Sequence, residues 1–156
     1  MPRRPAKPRP QPPVIDPADL LARAVAARAG AYAPYSDFAV GAALLDADGT
    51  IWTGANVENA SYGLSMCAER SAIFHAVASG ARAFEAVAVA GPDGVRTLPC
   101  GACRQVLWEF APGLRVVYDD DGRVTEIPLA ALLPHAFGAE QLAEARVPAR
   151  SRGSRA

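Results

Sequence analysis

Three cysteines occur in the 156 residues, and all three fall in two short segments. The first reads Cys67-Ala68-Glu69-Arg70 and the second Pro99-Cys100-Gly101-Ala102-Cys103-Arg104. Three thiolates make an incomplete tetrahedral shell for zinc, and a fourth corner left to water marks a catalytic rather than a structural ion. Cys100 and Cys103 are one helical turn apart, so both can reach one ion, and Cys67 must arrive from a different element. Glu69, two residues past the first cysteine, is placed to move protons to and from water at such a site. Arg70 lies three positions from Cys67 and could donate to a thiolate, offsetting the net −1 of three sulfur anions around Zn²⁺. Arg104, next to Cys103, is a second such donor.

Both segments are expected at helix starts. Helix N-termini carry partial positive charge and unpaired N–H groups, which favour thiolates. Met66 to Ser79 reads as one helix, with Ala72, Ile73, Ala76 and Val77 toward a sheet, and Cys100 to Phe110 reads as another. An earlier helix begins at Asp16-Pro17, a cap and first-position pair, carries the stripe Leu20, Leu21, Ala24 and Val25, and ends at Gly30. Strands are expected over Phe38 to Leu45 and Ile51 to Val57, joined by the turn Asp46-Ala47-Asp48-Gly49. Phe84 to Ala90 is a continuous apolar run, as in a strand buried on both faces. Leu114 to Tyr118 and Arg123 to Ile127 complete the strands, and short helices follow near Leu129 to Leu133 and Gly138 to Ala145. The strand-helix-strand-helix-strand centre favours a parallel region covered by helices on both faces. The expected fold is α/β, a three-layer α-β-α sandwich with a mixed sheet of about five strands.

Composition narrows the function. Three domains are read: a Pro- and Arg-rich arm over 1–15, a folded domain over 16–145, and a basic tail over 146–156. The formal charge is zero, yet residues 16–145 hold 8 Arg against 16 acids, a net of −8. An acidic body suits a small neutral substrate and disfavours a nucleic acid backbone. No apolar run approaches the roughly 20 residues of a membrane span, and the first residues lack the apolar stretch of a secretory signal. An odd number of cysteines with free thiols fits a reducing cytoplasm.

The two cysteine segments together resemble the small, homotetrameric zinc-dependent cytidine deaminases, a pattern already described for zinc nucleobase deaminases. The likeness extends to Ala33-Pro34-Tyr35-Ser36, to Phe38 through Leu45, to Asn56-Val57-Glu58-Asn59-Ala60-Ser61-Tyr62-Gly63-Leu64, and to Leu132-Leu133-Pro134 with Phe137-Gly138. It covers roughly residues 16–142. The resemblance implies one Zn²⁺ per subunit on Cys67, Cys100 and Cys103, with Glu69 as the proton carrier. It implies hydrolysis of cytidine and deoxycytidine to uridine and deoxyuridine plus ammonia, as in pyrimidine salvage. It also implies that Asn56 and Glu58 hydrogen-bond the ribose, and that Phe38 lines the pyrimidine pocket. Ala68 would offer a backbone N–H to the ring carbonyl. Tyr62 would sit on a loop entering the next subunit's site, and Phe137 would stack on the base from a neighbouring subunit. On residue type alone, both phenylalanines read as core.

Rival readings remain open on the residues. A structural zinc module needs a fourth ligand, for which only His75 and His135 are available. His75 is two turns from Cys67 and reads as a partly buried helix residue, and His135 reads as a loop residue. A thiol-redox protein would use Cys100 and Cys103 but leaves Cys67 and Glu69 without a role. A nucleic-acid-editing deaminase would usually carry His-x-Glu and a basic groove. A blasticidin-type deaminase is closer, but Asn56-Val57-Glu58-Asn59 favours a ribose.

Overall fold

The computed structural model describes residues 15–145. The basic tail and residues 1–14 of the expected arm lie outside the described residues. A five-stranded mixed sheet has the order β2-β1-β3-β4-β5. Its strands are β1 (Gly41–Asp46), β2 (Ile51–Ala55), β3 (Phe84–Ala90), β4 (Arg115–Asp120) and β5 (Arg123–Pro128). The helices are α1 (Pro17–Ala27), α2 (Ala68–Ala78), α3 (Gly101–Phe110), α4 (Leu129–Leu132) and α5 (Ala139–Ala145).

Side chains alternate between the two sheet faces, as strand geometry requires. Ala43, Leu45, Ala86, Ala88 and Val117 pack under α1 with Leu20, Leu21 and Ala24. Ala42, Leu44, Val87, Val89 and Val116 pack on the other face against Ala72, Ile73 and Ala76 of α2 and Leu107 of α3. The apolar runs of β1 and β3 follow from this, because both strands are covered twice. The three-layer sandwich and the five-strand sheet are as expected.

The parallel region is smaller than the alternation of strands and helices implied. Only β3 and β4 are neighbouring parallel strands. The crossover through α2 skips one position, because β1 lies between β2 and β3 and runs antiparallel to both. Strands β2 and β3 therefore point the same way, and the helices that follow them both begin beyond the same edge of the sheet. Ligand crevices in open α/β sheets form at such carboxyl ends.

Other expectations shift in detail. Strand β1 begins at Gly41 rather than Phe38, because the Asn56 side chain takes up the Val40 N–H at 2.8 Å and the Phe38 carbonyl at 2.9 Å. Val25 is 43% exposed and lies off the α1 stripe. His75 is exposed, its ring edge-on to Trp52 at 5.2 Å.

A close approach seats each outer layer. A Cβ on Gly54 of β2 would lie 2.5 Å from the Ala68 carbonyl oxygen and the Ala72 nitrogen, so α2 rests directly on the β2 backbone. The first turn of α2, which carries Glu69, is thereby fixed against the sheet.

Candidate metal centre and nucleoside pocket

Helix α1 starts in the usual way, with the Asp16 carboxylate accepting from the Ala18 N–H at 2.9 Å. Helices α2 and α3 do not. Cys67 and Cys100 occupy their cap positions, and neither makes a side-chain capping bond. The first N–H groups of each helix have no intrahelical acceptor. Each helix start carries roughly half a positive charge, and two such starts meet here. Together they offset a residual −1, and the Arg70 guanidinium adds a full positive charge.

The three sulfurs meet as the spacing of the cysteines requires. Cys67 Sγ is 3.9 Å from Cys100 Sγ, Cys100 Sγ is 3.5 Å from Cys103 Sγ, and all three lie within 4.8 Å of one another. Sulfurs bound tetrahedrally to one zinc, each about 2.3 Å from it, lie about 3.8 Å apart. The donor set and its spacing fit zinc. No fourth His, Cys, Asp or Glu joins the group among the described residues, so neither His75 nor His135 closes the shell.

These sulfurs do not ionise independently. The neighbouring Cys103 thiol, aided by Arg70 and opposed by burial, holds Cys67 down at about 5. Cys103, buried beside Cys67, is pushed far up. Arg70 reaches Cys67 Sγ through Nη2 at 3.5 Å, as expected. Its buried Nε has no partner among the described residues. Arg104 points elsewhere. It donates to the carbonyls of Pro99 (2.7 Å) and Leu132 (2.8 Å). It braces the backbone leading into Cys100 against the end of α4 instead of reaching a sulfur.

Glu69 is only 4% exposed and faces the same cavity as Cys67 and Cys100. Burial raises its carboxyl above the ordinary range. This cavity holds about 290 Å³. Phe38, Asn56, Glu58 and Ala68 line it, as do Val40, Ser65, Met66, Thr97 and Leu98, which sequence reasoning did not single out. Thr97 and Leu98 precede the Pro-Cys segment by two residues and one, so proximity along the chain was the available signal. Val40 lies two residues past Phe38, the same kind of signal.

Asn56 and Glu58, expected at the sugar, are busier than their types implied. The Asn56 side chain clamps residues 38–40 through the two bonds already given. Glu58 accepts from the Tyr35 N–H (2.9 Å), the Ser36 N–H (3.2 Å) and the Ser36 hydroxyl. Those donors hold its carboxyl below the usual range, the hydroxyl most of all. A second cavity of about 320 Å³ shares Glu58 and Ser65 and extends to Tyr35, Ser36 and Tyr62. Tyr62 is 75% exposed and packs edge-on against Tyr35 of the same chain, with ring centroids 5.9 Å apart. Phe137 is 58% exposed and does not line its own chain's cavity; its carbonyl accepts from Gln105 at 2.8 Å.

Comparison with known proteins agrees with this architecture. Residues 16–119, two thirds of the chain, match the family model for the cytidine and deoxycytidylate deaminase zinc-binding region. The chain is similar to a cytidine deaminase of Sporosarcina psychrophila, 48% identical over 84% of this chain and 98% of that protein. A cytidine deaminase of Halalkalibacterium halodurans is 50% identical over 79% of this chain and 95% of its own length. Among solved structures, the cytidine deaminase of Burkholderia pseudomallei superposes with a TM-score of 0.75 at 50% identity, covering 79% of this chain and 100% of that one. A hydrolytic metalloenzyme of α/β class is the kind of protein that this fold and cradle define. The chain belongs to the cytidine and deoxycytidylate deaminase family.

Proposed function

We propose that the chain is a zinc-dependent deaminase of cytosine nucleosides. It converts cytidine or deoxycytidine and water into uridine or deoxyuridine and ammonia. The observation that carries this reading is the cavity lined by Cys67, Cys100 and the buried Glu69, with the Cys103 sulfur grouped with the other two behind it. Cys67, Cys100 and Cys103 would hold the ion. When bound, zinc supplies a Lewis acid that makes a nucleophile from water at neutral pH.

The chain's own residues do the rest. Glu69 takes a proton from water and passes it to ring N3 as the oxygen bonds C4. It then carries the proton of that new hydroxyl to the amino group as the C4–N bond breaks and ammonia leaves. The buried position of Glu69 keeps bulk water from competing for those protons. The Ala68 N–H, the first of α2, is free to bond the ring carbonyl. Phe38 walls the base, and Asn56 and Glu58 bond the sugar hydroxyls. Arg70 offsets the charge of the Cys67 thiolate.

Charge decides nucleoside over nucleotide. Among the described residues no Lys or Arg lines either cavity, and Glu58 faces both. A 5′-phosphate would meet a carboxylate there with no cation of the described residues to bind it. The working unit spans 16–145, and its free thiols suit the cytoplasm. Among the described residues no helix is long and apolar enough to cross a membrane.

A homotetramer with shared sites is part of the same reading. Tyr62, Leu64, Phe74 and Phe137 are large apolar or aromatic side chains left exposed. Contact with other copies would cover them and bring Phe137 to a neighbour's base. Incubating purified, zinc-loaded protein with cytidine and deoxycytidine, and following uridine and ammonia, tests the activity. Absence of turnover on both nucleosides would sink it. Light scattering after gel filtration tests the tetramer, and a monomer mass would refute that part.

A further inference from the structure

The Ser36 hydroxyl sits between two groups that face the cavity. It donates to Oε1 of Glu58 and accepts from the Phe38 N–H at 3.0 Å. The other carboxylate oxygen, Oε2, is filled by the N–H groups of Tyr35 and Ser36. A carboxylate offers about four lone-pair sites. Among the described residues three are taken, and the one remaining is on Oε1. The terminal torsion of a glutamate is broad, so nothing in its covalent structure aims that site. The donors of the 35–36 turn aim it, and the hydroxyl is the only one acting on Oε1.

We propose that Ser36 is a specificity-determining positioning residue: its hydroxyl orients Glu58 so that the open site on Oε1 meets the 3′-hydroxyl of the nucleoside sugar. The proposal rests on the reading of Glu58 as the sugar acceptor. Ser36 touches no reacting atom in this scheme. Its effect therefore falls on KM, the signature of binding shared by ground and transition states. The bond from Phe38 opens a second route, in which losing the hydroxyl loosens the pocket wall and weakens binding of any cytosine nucleoside. The two routes separate by substrate, because only the first needs the sugar hydroxyl.

The test uses the zinc-loaded protein and its variants Ser36→Ala, Ser36→Thr and Glu58→Gln, each with cytidine and with 3′-deoxycytidine. Ser36 is exposed, and melting temperature and zinc content check that each variant is folded and loaded. Ser36→Ala is expected to raise KM for cytidine about tenfold, the scale of one hydrogen bond to a charged group, with kcat within about twofold. KM for 3′-deoxycytidine is expected to stay within about twofold, and Ser36→Thr to restore the cytidine value. An equal rise for both nucleosides would overturn the proposal in favour of the wall, and an unchanged cytidine KM would overturn it outright. Glu58→Gln is the separate check: a full preference for cytidine in that variant means the sugar-acceptor reading itself fails, whatever Ser36→Ala does.

Discussion

The two ends of the one cavity are built differently. At the metal end, Cys67, Glu69, Cys100 and Cys103 stand on the first turns of two helices, and Glu69 and Cys103 are buried. At the sugar end, Asn56 and Glu58 stand in a loop and are held by hydrogen bonds to residues 35–40. Chemistry that needs fixed distances sits on elements packed against the sheet. The proposed recognition residues sit on loops whose shape their own side chains help to set. Changes at the first end should act on kcat and metal content, and changes at the second on KM.

Removing the ion should have the largest effect. Chelation, or Cys103→Ser, is expected to abolish turnover and lower the melting temperature. Zinc added back should rescue the wild-type chain and not the variant. Full activity in zinc-free protein would break the division between the ends. Glu69→Gln comes next, with kcat expected to fall by about 10² to 10⁴ and zinc content unchanged by metal analysis. Loss of zinc in that variant would make Glu69 a structural rather than a proton-carrying group.

Asn56→Ala sharpens the other side. It deprives the Val40 N–H and the Phe38 carbonyl of partners, and on the proposed reading a sugar hydroxyl as well. KM for cytidine should rise about ten- to a hundredfold, and stability should fall by about 1–3 kcal/mol, read from kinetics and from urea unfolding. A drop in kcat with KM unchanged would contradict it. The smallest effects come from a glycine pair. Gly54→Ala should cost about 1–3 kcal/mol, because a Cβ there meets α2 backbone at 2.5 Å. Gly63→Ala, with nothing within 4 Å, should leave the melting temperature in place. Equal shifts for the pair would mean that α2 is not seated on β2 as described.

Much of this was legible along the chain wherever the signal was local. The apolar run of β3 matches its strand end for end. The helices of the two cysteine segments begin within two residues of where capping and spacing put them. The convergence of the sulfurs followed from valence, since zinc demands several donors and only three thiols exist. Other features had no local signal. Arg104 looked like a sulfur donor by adjacency, yet its bonds reach a carbonyl 28 residues away. His75 reads as a partly buried helix residue, but tertiary packing put it on the exposed face beside Trp52. Phe38 reads as strand, and it is the Asn56 side chain that keeps it out of the ladder.

The amino-acid order alone determined which groups can bind metal and move protons, because thiols and a carboxyl have those affinities wherever they lie. It also determined the alternation of elements, through the periods at which apolar side chains recur. Only the tertiary structure decided that β1 intervenes between β2 and β3, so that both cysteine helices start at one sheet edge. It alone decided that the Glu58 carboxylate accepts from the hydroxyl of a serine 22 residues away. Those outcomes depend on which distant surfaces pack and which long-range hydrogen bonds close, and no window of neighbouring residues contains that information.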